Sequence, residues 1–332
     1  MANLFKGNGP LGIKHRWWVL LFIILNIVSV VLIAPVLPHI QVAPENVSHY
    51  PLFSLPVLGD FYLTNTLIML VLVDLLIVLL ALGVRNAVRD NALSPKGIGA
   101  AMELAVEALY NLTETTAGKY TKTIFPWFAT IVILVLVGNL AKLIPIGETF
   151  GVLHETHGEG HAIRELWAGG PVTLLNEKGD YGIIPYFRGI PTDLNFTLAL
   201  ALIAVVAIQV IGFKAQGPAY LLKFFNVTNL FKKPFFGVMD FLVGVLELIS
   251  EFAKVLSFAF RLFGNMFAGA VLLFLISSFA VVNVFFPSFI LMFEFFIGLI
   301  QAFVFGMLTM VFMAQATKGH GGEEHAEEAH AA

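Results

Sequence analysis

Residues 255–317 read VLSFAFRLFGNMFAGAVLLFLISSFAVVNVFFPSFILMFEFFIGLIQAFVFGMLTMVFMAQAT. The ionisable side chains in this run are Arg261 and Glu294, and no others. A helix rises about 1.5 Å per residue, so about 20 apolar residues cross the hydrocarbon core of a bilayer. The run is too long for one upright helix. It reads as two long helices meeting near Asn283 and Pro287, where the chain can turn. Such a run belongs to a chain that folds inside a membrane.

The rest of the sequence agrees. Of its 332 residues 58% are hydrophobic and 12% charged, with mean hydropathy +0.87. A soluble domain carries roughly a quarter charged residues. The 32 Phe and 9 Met suit helices that face lipid and one another. There is no cysteine, which excludes disulfides and thiolate metal sites. The net charge of -3 says little, because the charges are concentrated in the loops. The longest polar stretch, 148–193, leaves no room for a large soluble catalytic domain. No phosphate loop of the GxxxxGK[S/T] type is present, so the chain itself is not expected to carry nucleotide chemistry. No cofactor, metal or nucleic acid is expected.

Working outward, the block 17–36 follows Lys6, Lys14 and Arg16, a flank that places the N-terminus in the cytoplasm. A signal sequence is the alternative, but the block lacks an Ala-x-Ala-like site and opens with Trp17 and Trp18. A Pro-rich outer loop, 37–60, follows it. The block 61–84 contains Asp74 and is followed by Arg85, Arg89 and Lys96. Residues 98–118 read as an amphipathic helix with Glu103 and Glu107 on one face. The block 124–146 contains Asn139, Lys142 and Pro145 near its end, and the outer loop 148–193 follows. The block 195–213 is uncharged, and the loop 214–236 carries Lys214, Lys223, Lys232 and Lys233, as a cytoplasmic loop does. The tail 318–332 is Gly-, Glu- and His-rich and is expected to be disordered in the cytoplasm. The sum is an all-α polytopic membrane protein with about six membrane segments and both termini inside. It divides into an extra helix and outer loop (1–60), a core (61–317) and the tail.

Arginine in hydrocarbon costs roughly 2.5–3.5 kcal/mol on insertion scales. A carboxylate also pays unless it is neutral, paired or wet. Glu247, Lys254 and Arg261 recur every seven residues, about two helical turns, and so share one side. Ser250, Ser257 and Asn265 widen that stripe, and Glu294 and Gln301 repeat the spacing on the last helix. The simplest arrangement sets both stripes along a water-filled path. Each residue also has a plain structural reading. Lys254 can snorkel and Glu247 can sit at a headgroup interface. Arg261 and Glu294 can be buried pairs, and Asp74 can be a helix-packing group as readily as a path residue. His154, His157 and His161 have a spacing that would suit Zn²⁺ on a helix, but their Gly-rich setting points to an exposed loop. His320, His325 and His330 read as a soluble tail.

The run Arg261-Leu262-Phe263-Gly264-Asn265-Met266-Phe267-Ala268-Gly269 closely resembles the signature of the subunit a family of F-type rotary ATP synthases. The resemblance covers about 61–317. Pro191-Thr192-Asp193-Leu194-Asn195-Phe196-Thr197 looks like the start of that family's fourth core helix. Gly138-Asn139-Leu140 with Leu143-Ile144-Pro145 looks like the end of an earlier one. Gln301-Ala302-Phe303 lies where the family keeps a glutamine motif in its final helix.

The resemblance implies a stator channel whose last two helices form a long tilted hairpin against a ring of c subunits. Two aqueous half-channels would carry protons to and from the ring carboxylates. Peripheral-stalk b subunits and the remaining synthase subunits would be partners, and a bacterial cell membrane the location. Arg261 would be the essential arginine, pairing with each ring carboxylate and blocking leakage between half-channels. Asn265 and Gln301 would orient it or line the path. Glu247 would be a proton relay with Ser250 beside it, and Lys254 matches a commonly basic position. The outer path would use Glu247, Glu294 and Asp193. Ser250, Lys254, Asp193, Asn195, Asp74 and Asn139 are the secondary candidates for the ion path, and Asp74 has no assigned role. ATP chemistry would lie on partner subunits.

Two departures stand out. Some members of the family carry glutamate where this chain has Ala270, paired with a histidine on the final helix; here Glu294 holds that second position. Val255 stands where many relatives have proline. The competing class is a self-contained ion-coupled secondary transporter, for which internal symmetry is missing. A scaffold protein is a further alternative, but it leaves Arg261 without a reason. Protons are the expected ion; Na⁺ would be selected mainly by the ring.

Overall fold

The computed structural model describes residues 43–48, 50–56, 59–89, 98–143, 150–165, 172–224, 234–277 and 286–318, with Trp17, Leu20 and Ile24. Six long helices are described: α1 (Asn65–Arg89), α2 (Ile98–Ala117), α3 (Thr121–Lys142), α4 (Leu194–Gln216), α5 (Pro234–Ser277) and α6 (Phe286–Ala316). Helices α2 and α3 are joined through a short 3₁₀ turn, Gly118–Tyr120. Among the described residues five helical spans are long and apolar enough to cross a membrane: Asn65–Arg85, Gly99–Lys142, Leu194–Lys223, Gly237–Ile276 and Phe289–Ala316. They match five of the six segments expected from sequence. The first, 17–36, lies outside the described residues apart from helical Trp17, Leu20 and Ile24. The tail beyond Lys318 and residues 278–285, where the sequence leads one to expect a turn, also lie outside them.

Local chemistry explains where the helices begin and end. Asp193 caps α4, its carboxylate accepting from the Asn195 backbone N–H at 2.8 Å. Gly217 follows α4 with φ +66°, a left-handed conformation that glycine adopts without steric cost. Pro234 opens α5 and Pro287 is the second residue of α6, positions where a missing N–H removes no helical hydrogen bond. Helix α5 has 44 residues and α6 has 31. At 1.5 Å per residue α5 is about 66 Å long, roughly twice the hydrocarbon thickness. It passes through Val255, which is buried, where a proline would remove an N–H.

The chain forms two compact units. The larger comprises Thr66–Ile144, Gly189–Met266 and Ile297–Ala332. Its core interleaves Ile131 and Val135 of α3, Leu200 and Ala204 of α4, Phe258 and Leu262 of α5, and Ala302 and Phe305 of α6. A second apolar cluster joins Ile124 and Phe128 of α3, Ile208 and Ile211 of α4, Tyr220, and Met310 and Met313 of α6. Helix α1 leaves Val71, Leu75, Val78 and Leu82 exposed, as a lipid-facing helix does.

The other unit comprises Met1–Asn65, Pro145–Arg188 and Phe267–Phe296. It contains two antiparallel hairpins, β1 (Phe53–Leu55) with β2 (Gly59–Phe61), and β3 (Gly151–Glu165) with β4 (Val172–Pro185). The second hairpin replaces the plain loop expected over 148–193. It sets His154 opposite Gly182 and His161 in an irregular register opposite Lys178 and Tyr181. This stretch is a strand, so the helical spacing that suggested a zinc ligand set does not apply. No group of three metal-ligating side chains occurs among the described residues.

Candidate ion-translocation site

Helix α5 is anchored by its apolar side. Leu262 and Phe258 are buried in the core of the larger unit, which leaves Arg261 partly exposed on the adjoining face. The Arg261 guanidinium donates to Ser257 Oγ, one turn earlier, at 3.3 Å. Among the described residues no carboxylate lies within ion-pairing distance of Arg261. One turn later, Asn265 Nδ2 donates to Gln301 Oε1 at 2.8 Å, bridging α5 to α6. Gln301 is 4% exposed, and its Nε2 has no partner among the described residues.

Two further polar bonds brace this region. Asn139 of α3, fully buried, donates from Nδ2 to the Gly298 carbonyl of α6 at 2.7 Å. Lys142 of α3 donates to the Met266 carbonyl of α5 at 3.0 Å. Three helices are therefore joined by side-chain hydrogen bonds, two of which reach α5 within two turns of Arg261.

The earlier part of the α5 stripe is built differently. Glu247 pairs with Lys223 at 2.7 Å, and Lys223 also meets Glu251 Oε1 at 3.3 Å. Lys254 meets the same Glu251 oxygen at 2.8 Å and lies 4.8 Å from the Phe312 ring centre. Lys254 is thus paired rather than snorkelling. The salt bridge to Lys223 ties Glu247 to the basic segment 214–236, which sequence reading puts on the cytoplasmic side. Ser250 is exposed.

Sequence reasoning missed Glu251 and Lys223. The i,i+3 and i,i+4 spacing of Glu251 to Lys254 and Glu247 was the available signal. The partnership with Lys223 spans 28 residues and was not readable.

In the smaller unit, Glu294 is 4% exposed and lies against the α5 backbone at Gly269. A Cβ at Gly269 would come 2.5 Å from Glu294 Oε1, so only glycine leaves room for the carboxylate as it lies. The contact is at Gly269, the residue before Ala270, where some members of the resembled family place a glutamate. Asp193 is buried and accepts from Thr66 Oγ1 at 2.8 Å as well as capping α4. Asn195 supplies that cap's backbone N–H, and its side chain is exposed. Asp74 is exposed on α1.

A profile of the family described as ATP synthase A chain matches residues 66–314. The chain belongs to that family. ATP synthase subunit a of Desulfotalea psychrophila is 40% identical over 149 residues, 44% of this chain and 54% of that protein. The match to the Desulforamulus reducens protein of the same name is similar, 37% over 152 residues and 53% of its length. These alignments span about half the length of those relatives. The Mycobacterium bovis ATP synthase subunit a is 28% identical over 274 residues, 81% of this chain and 92% of that protein. A subunit a named as sodium ion specific, from Propionigenium modestum, is 31% identical over 196 residues, 59% of this chain and 55% of that protein. The chain is therefore a multi-pass membrane member of the ATP synthase A chain family with bacterial relatives. Family membership does not favour the self-contained secondary transporter.

Proposed function

We propose that this chain is the stator channel subunit of an F-type ATP synthase in a bacterial cell membrane, with both termini cytoplasmic. It gives protons two half-channels to and from the carboxylates of a rotating c-ring. The observation that carries this reading is Arg261, a guanidinium on a membrane-length helix that has no intrachain carboxylate among the described residues. A charge so placed is costly unless something outside the chain answers it. A ring carboxylate that passes and departs fits that need.

Guanidinium suits the task because it keeps its proton at any relevant pH. It attracts a deprotonated ring carboxylate, favours release of the proton, and opposes cation leakage between the half-channels. Asn265 and Gln301 hold the α5 and α6 faces together beside it. Glu294 serves the outer path, with Asp193 and Asn139 as secondary residues. Glu247 belongs to the inner flank with Lys223. The membrane potential supplies roughly 2.3 kcal/mol per charge per 100 mV, so several protons pass for each ATP made on partner subunits. Peripheral-stalk b subunits hold the channel against the ring's rotation.

The test is ATP synthesis driven by an imposed proton gradient and potential, in vesicles carrying the whole complex, with wild type against Arg261→Ala. Coupled synthesis is expected to vanish while the complex still assembles, and passive proton leak to rise. Unchanged synthesis contradicts the proposal.

A further inference from the structure

The segment that follows α4 does more than connect it to α5. Gln216 donates from Nε2 to the Ala316 carbonyl at 2.8 Å and the Lys318 carbonyl at 3.0 Å. It thereby satisfies carbonyls that the end of α6 leaves open. Tyr220, 3% exposed, packs into the second apolar cluster and donates its hydroxyl to Gln209 of α4 at 2.8 Å. Lys223 reaches both Glu247 and Glu251 on α5. The Phe224 carbonyl lies so close to α5 that a Cβ at Gly244 would collide with its oxygen. The ends of α4 and α6 and the first half of α5 are therefore fastened through nine consecutive residues, 216–224.

Glu251 is the centre of the fastening. It is 6% exposed, and its Oε1 accepts from the ammonium groups of both Lys223 and Lys254. Around them stand Tyr220, Phe224 and Phe312, whose rings lie 4.8–5.8 Å from one or other ammonium. The groups carry two negative and two positive charges in all, with Glu247 the more solvent-exposed carboxylate. Buried ion pairs of this kind contribute little net stability, yet removing one partner leaves a charge without compensation. Such pairs are better suited to fixing one arrangement than to adding stability. Lys254 and Arg261 are two helical turns apart on one side of α5, and Glu251 precedes Arg261 by ten residues, about 15 Å along the helix.

We propose that residues 216–224 form a clasp that fixes α5 to the ends of α4 and α6, with Glu251 as the positioning residue that keeps Arg261 in place against a turning ring. The proposal rests on the stator reading. A ring under load pushes sideways on the helix that carries the arginine, and in its first half α5 leaves Val238, Leu242, Leu246, Ile249 and Phe252 exposed. The clasp supplies directional contacts on the same helix, ending two turns before the arginine.

Glu251→Gln isolates the charge. Oε1 can still accept from both lysines, and the amide nitrogen takes the place of Oε2, which has no partner among the described residues. The experiment compares Glu251→Gln, Lys223→Met and Lys223→Arg in the intact complex, in energised vesicles, each normalised to assembled complex. ATP synthesis is measured at rising external ATP/ADP ratio, which raises the load on the ring. Glu251→Gln and Lys223→Met are expected to lose synthesis severalfold, with the deficit widening as load increases, while Lys223→Arg stays near wild type. Wild-type rates in the first two variants, or a deficit independent of load, overturn the proposal. So does loss of assembly in both while Lys223→Arg assembles, because the cluster is then only a folding element. Arg261→Ala in the same vesicles separates the two claims. If it synthesises normally, the stator reading fails; if it is inactive while Glu251→Gln is normal at every load, only the clasp fails.

Discussion

Between Glu247 and Lys254, α5 carries two carboxylates and an ammonium, and each is answered within the chain. Lys223 bridges the two carboxylates and Lys254 returns to Glu251. Two turns later the same helix carries Arg261, whose bond within the described residues is to a serine hydroxyl at 3.3 Å. Both regions lie on a membrane-length helix, and both pay to bring charge there. The first spends its charges on holding helices together. The second has no carboxylate beside its charge among the described residues, and on the proposed reading its counterpart comes from another chain and does not stay. Residue type alone does not separate these roles; the partner does.

The comparison can be broken in order of effect. Arg261→Ala stands first, with loss of coupling. Glu294→Gln comes next. It keeps the shape and removes the ionisable group, so proton-driven synthesis should fall severalfold in assembled complex, as measured in energised vesicles. Gly269→Ala should produce a weaker version of the same defect, because the new methyl displaces a flexible carboxylate instead of removing it. Normal synthesis in Glu294→Gln would move Glu294 from the ion path to helix packing. Smaller again, Asp193→Ala removes the α4 cap and the Thr66 bond. A cap contributes about 1 kcal/mol, so the expected readout is a lower thermal midpoint of the purified complex with coupling retained in what remains folded. If coupling collapses with the midpoint unchanged, Asp193 is a path residue first and a cap second. Asp74→Leu is the smallest. The carboxylate is exposed on α1, outside the bonded group near Arg261, and synthesis should stay at the wild-type rate.

Much of this was legible in the sequence, for reasons that can be named. The two long helices follow from a run with two ionisable residues, and the start of α4 from the resemblance of the run 191–197, though the cap that Asp193 makes there was not read. The stripe Glu247–Lys254–Arg261 follows from seven-residue spacing, because helical geometry converts spacing into a shared side. What sequence could not supply was partnership at long range. Glu251 looked like one more interruption of an apolar segment until Lys223 was found on it. Gln216 meets the end of α6 one hundred residues away. Asn139 and Lys142 looked like the close of a helix, yet they bond to carbonyls of α6 and α5. The hairpin of β3 and β4 was hidden by its Gly- and His-rich composition, whose strand alternation is weak, although Val172, Thr173, Tyr181, Ile183 and Ile184 favour β structure.

The central claim is that the partner of Arg261 lies on another chain. Ala268 is exposed, two turns after Arg261 on the same side of α5, and the chain contains no cysteine of its own. With Ala268→Cys in the assembled complex, a cysteine is placed in turn along the outer face of the ring helix that bears the carboxylate, and oxidation is used to form a disulfide. The account predicts a cross-linked product between this chain and the ring, strongest at the ring position nearest the carboxylate. No ring adduct at any position, while an exposed cysteine at Val78 on α1 does cross-link to the ring, would contradict it.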